Sequence, residues 1–129
     1  GEDGAILHFD GRSWGKMRSG TDEWLWDVWG VSGTSVFVVG SEGTILYYDG
    51  ESWRPMKATG ARTLTAVWGT SFDNVYAASF DGNIYHFDGS LWTQTYHDEE
   101  PRFRGMWGSS PSNITVVGDW GAIVRYAGE

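Results

Sequence analysis

One turn sequence occurs three times in the chain, as Phe9-Asp10-Gly11-Arg12-Ser13-Trp14, Tyr48-Asp49-Gly50-Glu51-Ser52-Trp53 and Phe87-Asp88-Gly89-Ser90-Leu91-Trp92. Each copy starts 39 residues after the previous one. A second series has the same spacing and consists of the pairs Trp29-Gly30, Trp68-Gly69 and Trp107-Gly108. Self-similarity at a period between about 20 and 50 residues is typical of proteins built from stacked repeats. We therefore interpret residues 1–129 as a single repeat domain.

The strand pattern is the same within each repeat. Apolar residues alternate with a step of two, and the segments are short and rich in aromatic and β-branched residues. In one full repeat this pattern predicts strands at residues 64–68, 75–79, 83–87 and 91–95. The Asp-Gly pairs favour two-residue hairpin turns, because both residues tolerate positive φ angles. Four short antiparallel strands in every 39 residues indicate an all-β fold of β-propeller blades, about three per chain.

The alignment of the repeats also predicts where the blades begin and end. Residues 1–23 supply the third and fourth strands of a blade, residues 24–62 and 63–101 are full repeats, and residues 102–129 form a partial blade. The third strand of the repeat thus occurs near both ends. Because three blades do not close a ring, we expect a homo-oligomer, with two chains and six blades as the simplest count. The alternative is a piece excised from a longer propeller.

The repeated turn resembles a degenerate Asp-box, the turn found in sialidase-like propellers and in photosystem assembly factors. It is also similar to the tectonin type of lectin repeat. Here Asp stands directly before Gly, one residue short of the Asp-box spacing. The resemblance implies a propeller in which the repeated Asp and Trp side chains are structural. The residues with this expected role in turns and interblade packing are Asp10, Asp49, Asp88, Trp14, Trp53, Trp92, Trp29, Trp68 and Trp107.

Residues that break the repeat are the better candidates for ligand binding. Trp24, Trp26 and Trp120 do so, because the other copies have threonine, arginine or an acid at these positions. Exposed tryptophans stack on sugar rings or anchor a protein partner, although they also pack onto their own loops. Asp27 stands on an inner strand where the other repeats have alanine or glycine. Such a carboxylate is either hydrogen-bonded across the propeller channel or part of an axial site.

The charge distribution is uneven. The chain has a net charge of -8, which argues against nucleic acid as a partner. Ten of the 17 acids fall on connections that should emerge at one end of the blades, namely Glu2, Asp3, Asp22, Glu23, Glu42, Asp81, Asp98, Glu99, Glu100 and Asp119. We expect a negative rim that attracts a basic protein, with Asp119 as a further binding candidate. The alternative is ordinary solvating charge on loop tips. Asp98-Glu99-Glu100 lacks the spacing of a calcium loop, so no metal is predicted.

Catalysis is not expected. Sialidase-like propellers use a cluster of arginines, a Tyr-Glu pair and an acid, and the arginines here do not occupy matching positions in successive blades. His8, His86 and His97 lack metal-binding spacing, and the strand position of His8 and His86 is expected to face the surface. The chain has no Cys, no nucleophile elbow and no phosphate loop. We therefore predict no enzyme and no cofactor.

Three hypotheses for function follow. The leading one is a non-catalytic binding module with lectin-like carbohydrate recognition. The second is a protein-interaction scaffold or assembly factor whose acidic rim docks a basic partner. The third is a ligand-free propeller fragment, natural or engineered, that oligomerises into a full ring. Neither a membrane span nor a signal peptide is predicted, and the missing initiator Met suggests a processed or excised chain, so a secreted or periplasmic location is the expectation.

Overall fold

The computed structural model describes residues 1–99 and 102–126, in which strands form four antiparallel sheets in chain order. The first sheet pairs β1 (Ile6–Phe9) with β2 (Trp14–Met17). The second contains β3 (Leu25–Ser32), β4 (Ser35–Gly40), β5 (Ile45–Tyr48) and β6 (Trp53–Met56). The third contains β7 (Leu64–Ser71), β8 (Asn74–Ser79), β9 (Asn83–Phe87) and β10 (Trp92–His97). The fourth contains β11 (Phe103–Ser110), β12 (Asn113–Gly118) and β13 (Ile123–Tyr126).

Short 3-10 turns occur at Glu2–Gly4, Ser41–Gly43 and Asp119–Gly121. The described part of the chain contains no helix long and apolar enough to cross a membrane. Each sheet is a simple meander, so neighbours in sequence are neighbours in the sheet. This is the predicted all-β arrangement, with β7 extending beyond the predicted end of its strand, to Ser71, and the fourth strand beginning at Trp92 and ending at His97.

The predicted two-residue hairpin turns are wrong. Phe87 pairs with Trp92, so four residues lie between β9 and β10. The Oδ1 atom of Asp88 accepts hydrogen bonds from the backbone N–H groups of Ser90 (2.8 Å) and Leu91 (2.9 Å). Gly89 has a φ angle of 100°, and Asp88 keeps an ordinary negative φ. The carboxylate thus organises the loop as a local acceptor, which removes the need for positive φ at the aspartate. The same bonds form at Asp10 and Asp49.

Successive sheets pack face to face, with their first strands closest together. Strand β3 contacts β7, and β7 contacts β11. Between the second and third sheets, Phe37, Phe87 and Trp92 form an aromatic cluster in which the Phe87 and Trp92 rings are stacked 5.2 Å apart. The Nε1 atom of Trp92 donates to the Sδ atom of Met56 at 3.4 Å. Most of the largest buried apolar side chains therefore lie between sheets, as a blade-by-blade core requires.

The repeated Trp-Gly pairs explain how the sheets fit together. The Trp29 indole lies on Gly69 of the next sheet, where an added Cβ would be 3.1 Å from the ring. Trp68 has the same relationship to Gly108. Trp107 differs because no further sheet follows it among the described residues, and its side chain is 68% exposed. The glycine in the Trp-Gly pair of one sheet therefore leaves the space that the tryptophan of the preceding sheet occupies. We call this glycine position the seat of that tryptophan.

Candidate functional site

The connections that lead into each first strand and each third strand emerge at one end of the sheets, which we call the top surface. Backbone hydrogen bonds join these two kinds of connection in every sheet that has both. The N–H of Ser41 donates to the carbonyl oxygen of Trp24 (2.8 Å), and that of Asp119 donates to Arg102 (3.1 Å). The equivalent bond in the third sheet runs from Phe80 to Thr63 (2.9 Å). In these three sheets the top surface is therefore a rim of braced loops.

Trp24 and Trp26 form a pair on this rim. They are two residues apart at the start of β3, so their side chains project in similar directions. Their ring centroids are 5.6 Å apart, and the side chains are 46% and 50% exposed. The Nε1 atom of Trp26 donates to the Oγ atom of Ser41 at 3.1 Å, which fixes the orientation of its indole. Exposed Asp22 and Glu42 lie on the connections beside this pair. We call Trp24, Trp26 and these two acids the Trp24 patch.

Arg104 occupies the position in the fourth sheet that Trp26 occupies in the second. Its Nε and Nη2 atoms donate to Oδ1 and Oδ2 of Asp119 at 2.7 and 3.3 Å. The hydrogen bonds from Arg104 hold the pKa of Asp119 below its usual value. Asp119 was predicted as a ligand-binding residue, and in this structure its carboxylate already has a cationic partner.

Sequence reasoning missed the aromatic side chain beside this ion pair. The guanidinium carbons of Arg102 and Arg104 lie 5.0 and 5.1 Å from the ring centroid of Phe80 in the preceding sheet. Two arginines over one phenylalanine bridge the third and fourth sheets through cation–π contacts. The only signal in the sequence is that Arg104 stands on an inner strand.

Trp120 lies at the tip of the turn Asp119–Gly121 and is 80% exposed. Its φ angle is 58°, in the left-handed region that bulky side chains rarely adopt. Asp3 and Glu42 have the same conformation at the equivalent positions, so it belongs to the turn and not to this tryptophan alone. Trp120 belongs to the fourth sheet and the Trp24 patch to the second, with the third sheet between them. The three predicted tryptophans thus lie on the same surface, with Trp24 and Trp26 together and Trp120 apart from them.

Asp27 joins neighbouring sheets. Its Oδ2 atom accepts a hydrogen bond from the backbone N–H of Val67 at 3.0 Å, and Oδ1 accepts one from the N–H of Val28 at 2.9 Å. Both oxygens are therefore engaged with first strands, β3 and β7. In the next sheet, Thr65 performs a similar task, because its Oγ1 atom donates to the carbonyl oxygen of Phe103 at 2.6 Å. The contacts of Asp27 are those of a carboxylate that braces the interface between two blades.

The acids of the top surface are partly paired with cations. Besides the bond between Arg104 and Asp119, the Nε atom of Arg62 lies 4.0 Å from Oδ2 of Asp81. Asp22 and Glu42, the two acids of the Trp24 patch, are exposed. Glu100, one of the acids predicted for the rim, lies outside the described residues. Within residues 1–99 and 102–126, no cluster of acids and histidines has a geometry suited to a metal ion.

An open apolar groove of about 440 Å³ lies between the third and fourth sheets. It was not predicted, because no single motif marks it. The lining includes Tyr76, His86, Met106, Val124 and Tyr126. The prediction that this strand position faces the surface holds for His8, which is exposed, and is wrong for His86. The His86 ring is half-buried, with its centroid 4.6 Å from that of Tyr76, and burial lowers its pKa. In the third sheet, the side of β9 that carries His86 faces the fourth sheet and not the solvent. We call this cavity the Tyr76 groove.

Four antiparallel meanders packed in chain order, with each first strand against the next, define an arc of β-propeller blades. No family model and no curated protein matches the sequence. Among solved structures, the chain is similar to YCF48 bound to D1 peptide, a β-propeller protein, with a TM-score of 0.82 and 17% sequence identity. The match covers 99% of this chain and 46% of that chain, so this chain spans about half of its length. The likeness confirms the propeller fold. The blades of residues 1–99 and 102–126 do not form a closed ring.

Proposed function

We propose that the chain is a non-catalytic propeller module that binds a basic segment of a protein partner at the Trp24 patch. The observation that carries this proposal is the pair of half-exposed indoles of Trp24 and Trp26, held 5.6 Å apart on a braced rim. Aromatic pairs of this kind offer a rigid apolar surface that loses little conformational entropy on binding.

The chemistry of the patch favours a cationic ligand. The faces of indole rings attract guanidinium and ammonium groups, and a nearby carboxylate adds a charge contact. Asp22 and Glu42 supply such carboxylates, and the net charge of the chain is -8. A peptide with arginine or lysine next to an apolar residue satisfies both parts of the patch. The likeness to YCF48, whose solved structure contains D1 peptide, supports a peptide as the class of ligand.

The test is a binding titration of fluorescent peptides that alternate arginine with leucine, with glutamate-for-arginine peptides as the negative set. We expect binding to the basic set alone, weakened by added salt and at least about 10-fold weaker in Trp24→Ala and Trp26→Ala, as for anchor residues of interfaces. Trp120→Ala is the matched control, because it removes an exposed tryptophan on the same surface. Equal binding of both peptide sets, or unchanged affinity in Trp24→Ala, would contradict the proposal.

Carbohydrate recognition is a second candidate, favoured by Trp120. Its ring is 80% exposed at the tip of a turn, and the repeated Asp-Gly turns are similar to tectonin repeats. A flat, exposed indole matches the apolar face of a sugar ring. A glycan array with the wild-type chain and Trp120→Ala tests this proposal, and we expect any glycan bound through this ring to be lost in the variant. If neither peptides nor glycans bind, the result favours the third hypothesis, a propeller fragment without a ligand.

We further propose that copies of the chain assemble, with two chains forming a ring of six blades. The supporting observation is that both ends of the arc expose apolar surface of the kind that lies buried between the inner sheets. Trp14 is 69% exposed, whereas its repeat equivalent Trp92 is 7% exposed. Trp107 is 68% exposed, whereas its equivalents Trp29 and Trp68 are partly buried. Surfaces of this type on soluble proteins are typical of interaction sites.

A further inference from the structure

The Tyr76 groove repeats the interface between the second and third sheets with one element missing. In that complete interface, the Trp92 indole of β10 packs against Phe37 and stacks on Phe87. The equivalents of Phe37 and Phe87 in the next interface are Tyr76 and Tyr126, and both line the groove. The described part of the fourth sheet ends with its third strand, so no fourth-strand indole fills the space between them. The groove is therefore shaped to receive one tryptophan.

The chain itself carries a matching tryptophan. Trp14 occupies the repeat position of Trp92. It begins β2, which corresponds to the fourth strand of a complete blade. The ring centroids of Trp14 and Phe9 are 5.4 Å apart, and those of Trp92 and Phe87 are 5.2 Å apart. Its indole is 69% exposed, and no sheet among the described residues covers this face of the first sheet. We propose that Trp14 of a second copy of the chain fills the Tyr76 groove. This inference rests on the proposed assembly of copies and identifies its interface.

A second contact is satisfied by the same arrangement. A copy whose β2 joins the fourth sheet of its neighbour places its own β3 next to the neighbour's β11, because β2 runs directly into β3. Trp107 of β11 then faces Gly30 of β3. Trp29 and Trp68 lie on the equivalent glycines within one chain, whereas the three atoms nearest the Cβ position of Gly30 belong to Val36, Ser32 and Ser35. The unoccupied seat at Gly30 and the exposed Trp107 are complementary.

The strand pairing agrees with this arrangement. Ile45 pairs with Val39, and Ile123 pairs with Val117, at equivalent positions of two sheets. Ile6 of β1 is the equivalent of both isoleucines, so β1 of the second copy can pair with β12 in the place of β13. Phe9 of β1 then takes the position of Tyr126 beside Trp14. A groove of about 220 Å³ beside β1 and β3, lined by Ile6, Leu25 and Val28 among others, accepts the inner strands of the neighbour. One blade of the ring is then built from two chains.

This interface is head-to-tail, with different surfaces on the two partners. Such an interface closes into a ring only if the rotation between copies completes a full turn. Two chains related by a twofold axis meet this condition. Each chain supplies two four-stranded blades and part of each of two shared blades, which makes six blades in the ring. The same geometry forms two identical seams.

The experiment measures mass by light scattering on the 129-residue chain across a range of protein concentrations. We expect twice the mass of one chain, and at least about 10-fold weaker association in Trp14→Ala and in Trp107→Ala, because anchor residues dominate interfaces. Gly30→Leu tests the seat on the other partner and should weaken association similarly. Trp120→Ala is the control and should leave the mass unchanged. Circular dichroism and the Tm of each variant show that it is folded, and the exposure of Trp14 makes unfolding by its removal unexpected.

The outcomes separate the two proposals. A wild-type chain that remains a monomer at micromolar concentration overturns both the assembly and its interface. A dimer whose mass is unaffected by Trp14→Ala, Trp107→Ala and Gly30→Leu leaves the assembly standing and overturns the interface. A mass of three or more chains overturns the six-blade ring.

Discussion

The Trp68 indole lies on Gly108 of the neighbouring sheet, so closely that a Cβ at residue 108 would be 2.5 Å from the ring carbon Cη2. This contact couples the third sheet to the fourth. The same relationship between Trp29 and Gly69 couples the second to the third. A glycine is required at the seat because any side chain would displace a large, partly buried ring.

Gly108→Ala should therefore lower the free energy of unfolding by about 1–3 kcal/mol, the usual cost of overpacking. Thermal or urea unfolding of the two chains measures the difference. Gly30→Ala is the matched control, because it makes the same change at the equivalent seat, where the three nearest atoms belong to Val36, Ser32 and Ser35 and not to an indole. In a Trp14→Ala background, which we expect to weaken association between copies, Gly30→Ala should cost clearly less than Gly108→Ala. Equal costs at both seats would show that the Trp68 contact is not the cause.

Asp49 holds its loop through two backbone hydrogen bonds, from Glu51 at 2.9 Å and Ser52 at 3.0 Å. Asp49→Ala removes the acceptor and should lower the Tm by several degrees. Asp49→Asn keeps an amide oxygen in the same place and should lower it less. Differential scanning calorimetry of the three chains measures the order. If Asn is as damaging as Ala, the charge and not the acceptor geometry supports the turn.

The same turns should make the chain sensitive to acid. Backbone hydrogen bonds lower the pKa values of Asp10, Asp49 and Asp88 from the ordinary 3.8. A carboxyl group with a lowered pKa in the folded chain binds fewer protons than in the unfolded chain, so its stabilising effect is complete above pH 4 or so and is lost as the pH falls through the lowered pKa. The Tm should therefore decline below about pH 4. The triple variant with Asn at these positions should show a shallower decline, and an unchanged slope would exclude the turns as its cause.

The repeat made the fold predictable because the turn chemistry is local. The Asp-Gly pairs that recur every 39 residues mark the loops. The segments between these loops have apolar residues at every second position, which marks the strands. The details that failed depend on neighbouring chain segments. The turn between Phe87 and Trp92 is set by where the Asp88 carboxylate finds donors, and the burial of His86 is set by the sheet packed against it.

The site was predictable in part for the same reason. Departures from the repeat pointed to Trp24, Trp26 and Trp120, since a break in a repeat is visible in the letters alone. The pairing of Arg104 with Asp119 depends on the register of β11 against the turn after β12, which spacing does not reveal. The Tyr76 groove lies where the described part of the fourth sheet has three strands and the third sheet has four, and the comparison of successive interfaces in three dimensions shows it.

Trp120 provides a test in which stability and binding should change in opposite directions. Its φ angle of 58° is costly for a bulky residue, whereas the equivalent turn carries Asp3 at 52°. Asp and Asn tolerate this conformation, because their short side chains can hydrogen-bond locally. Trp120→Asn should therefore raise the free energy of unfolding by about 0.5–1 kcal/mol, measured by urea unfolding, and should abolish any glycan binding that depends on the indole. Trp24→Asn is the control, because residue 24 has no positive φ angle and its replacement relieves no such strain. A Trp120→Asn chain that is less stable than the wild type would show that the exposed ring contributes packing that outweighs the backbone cost.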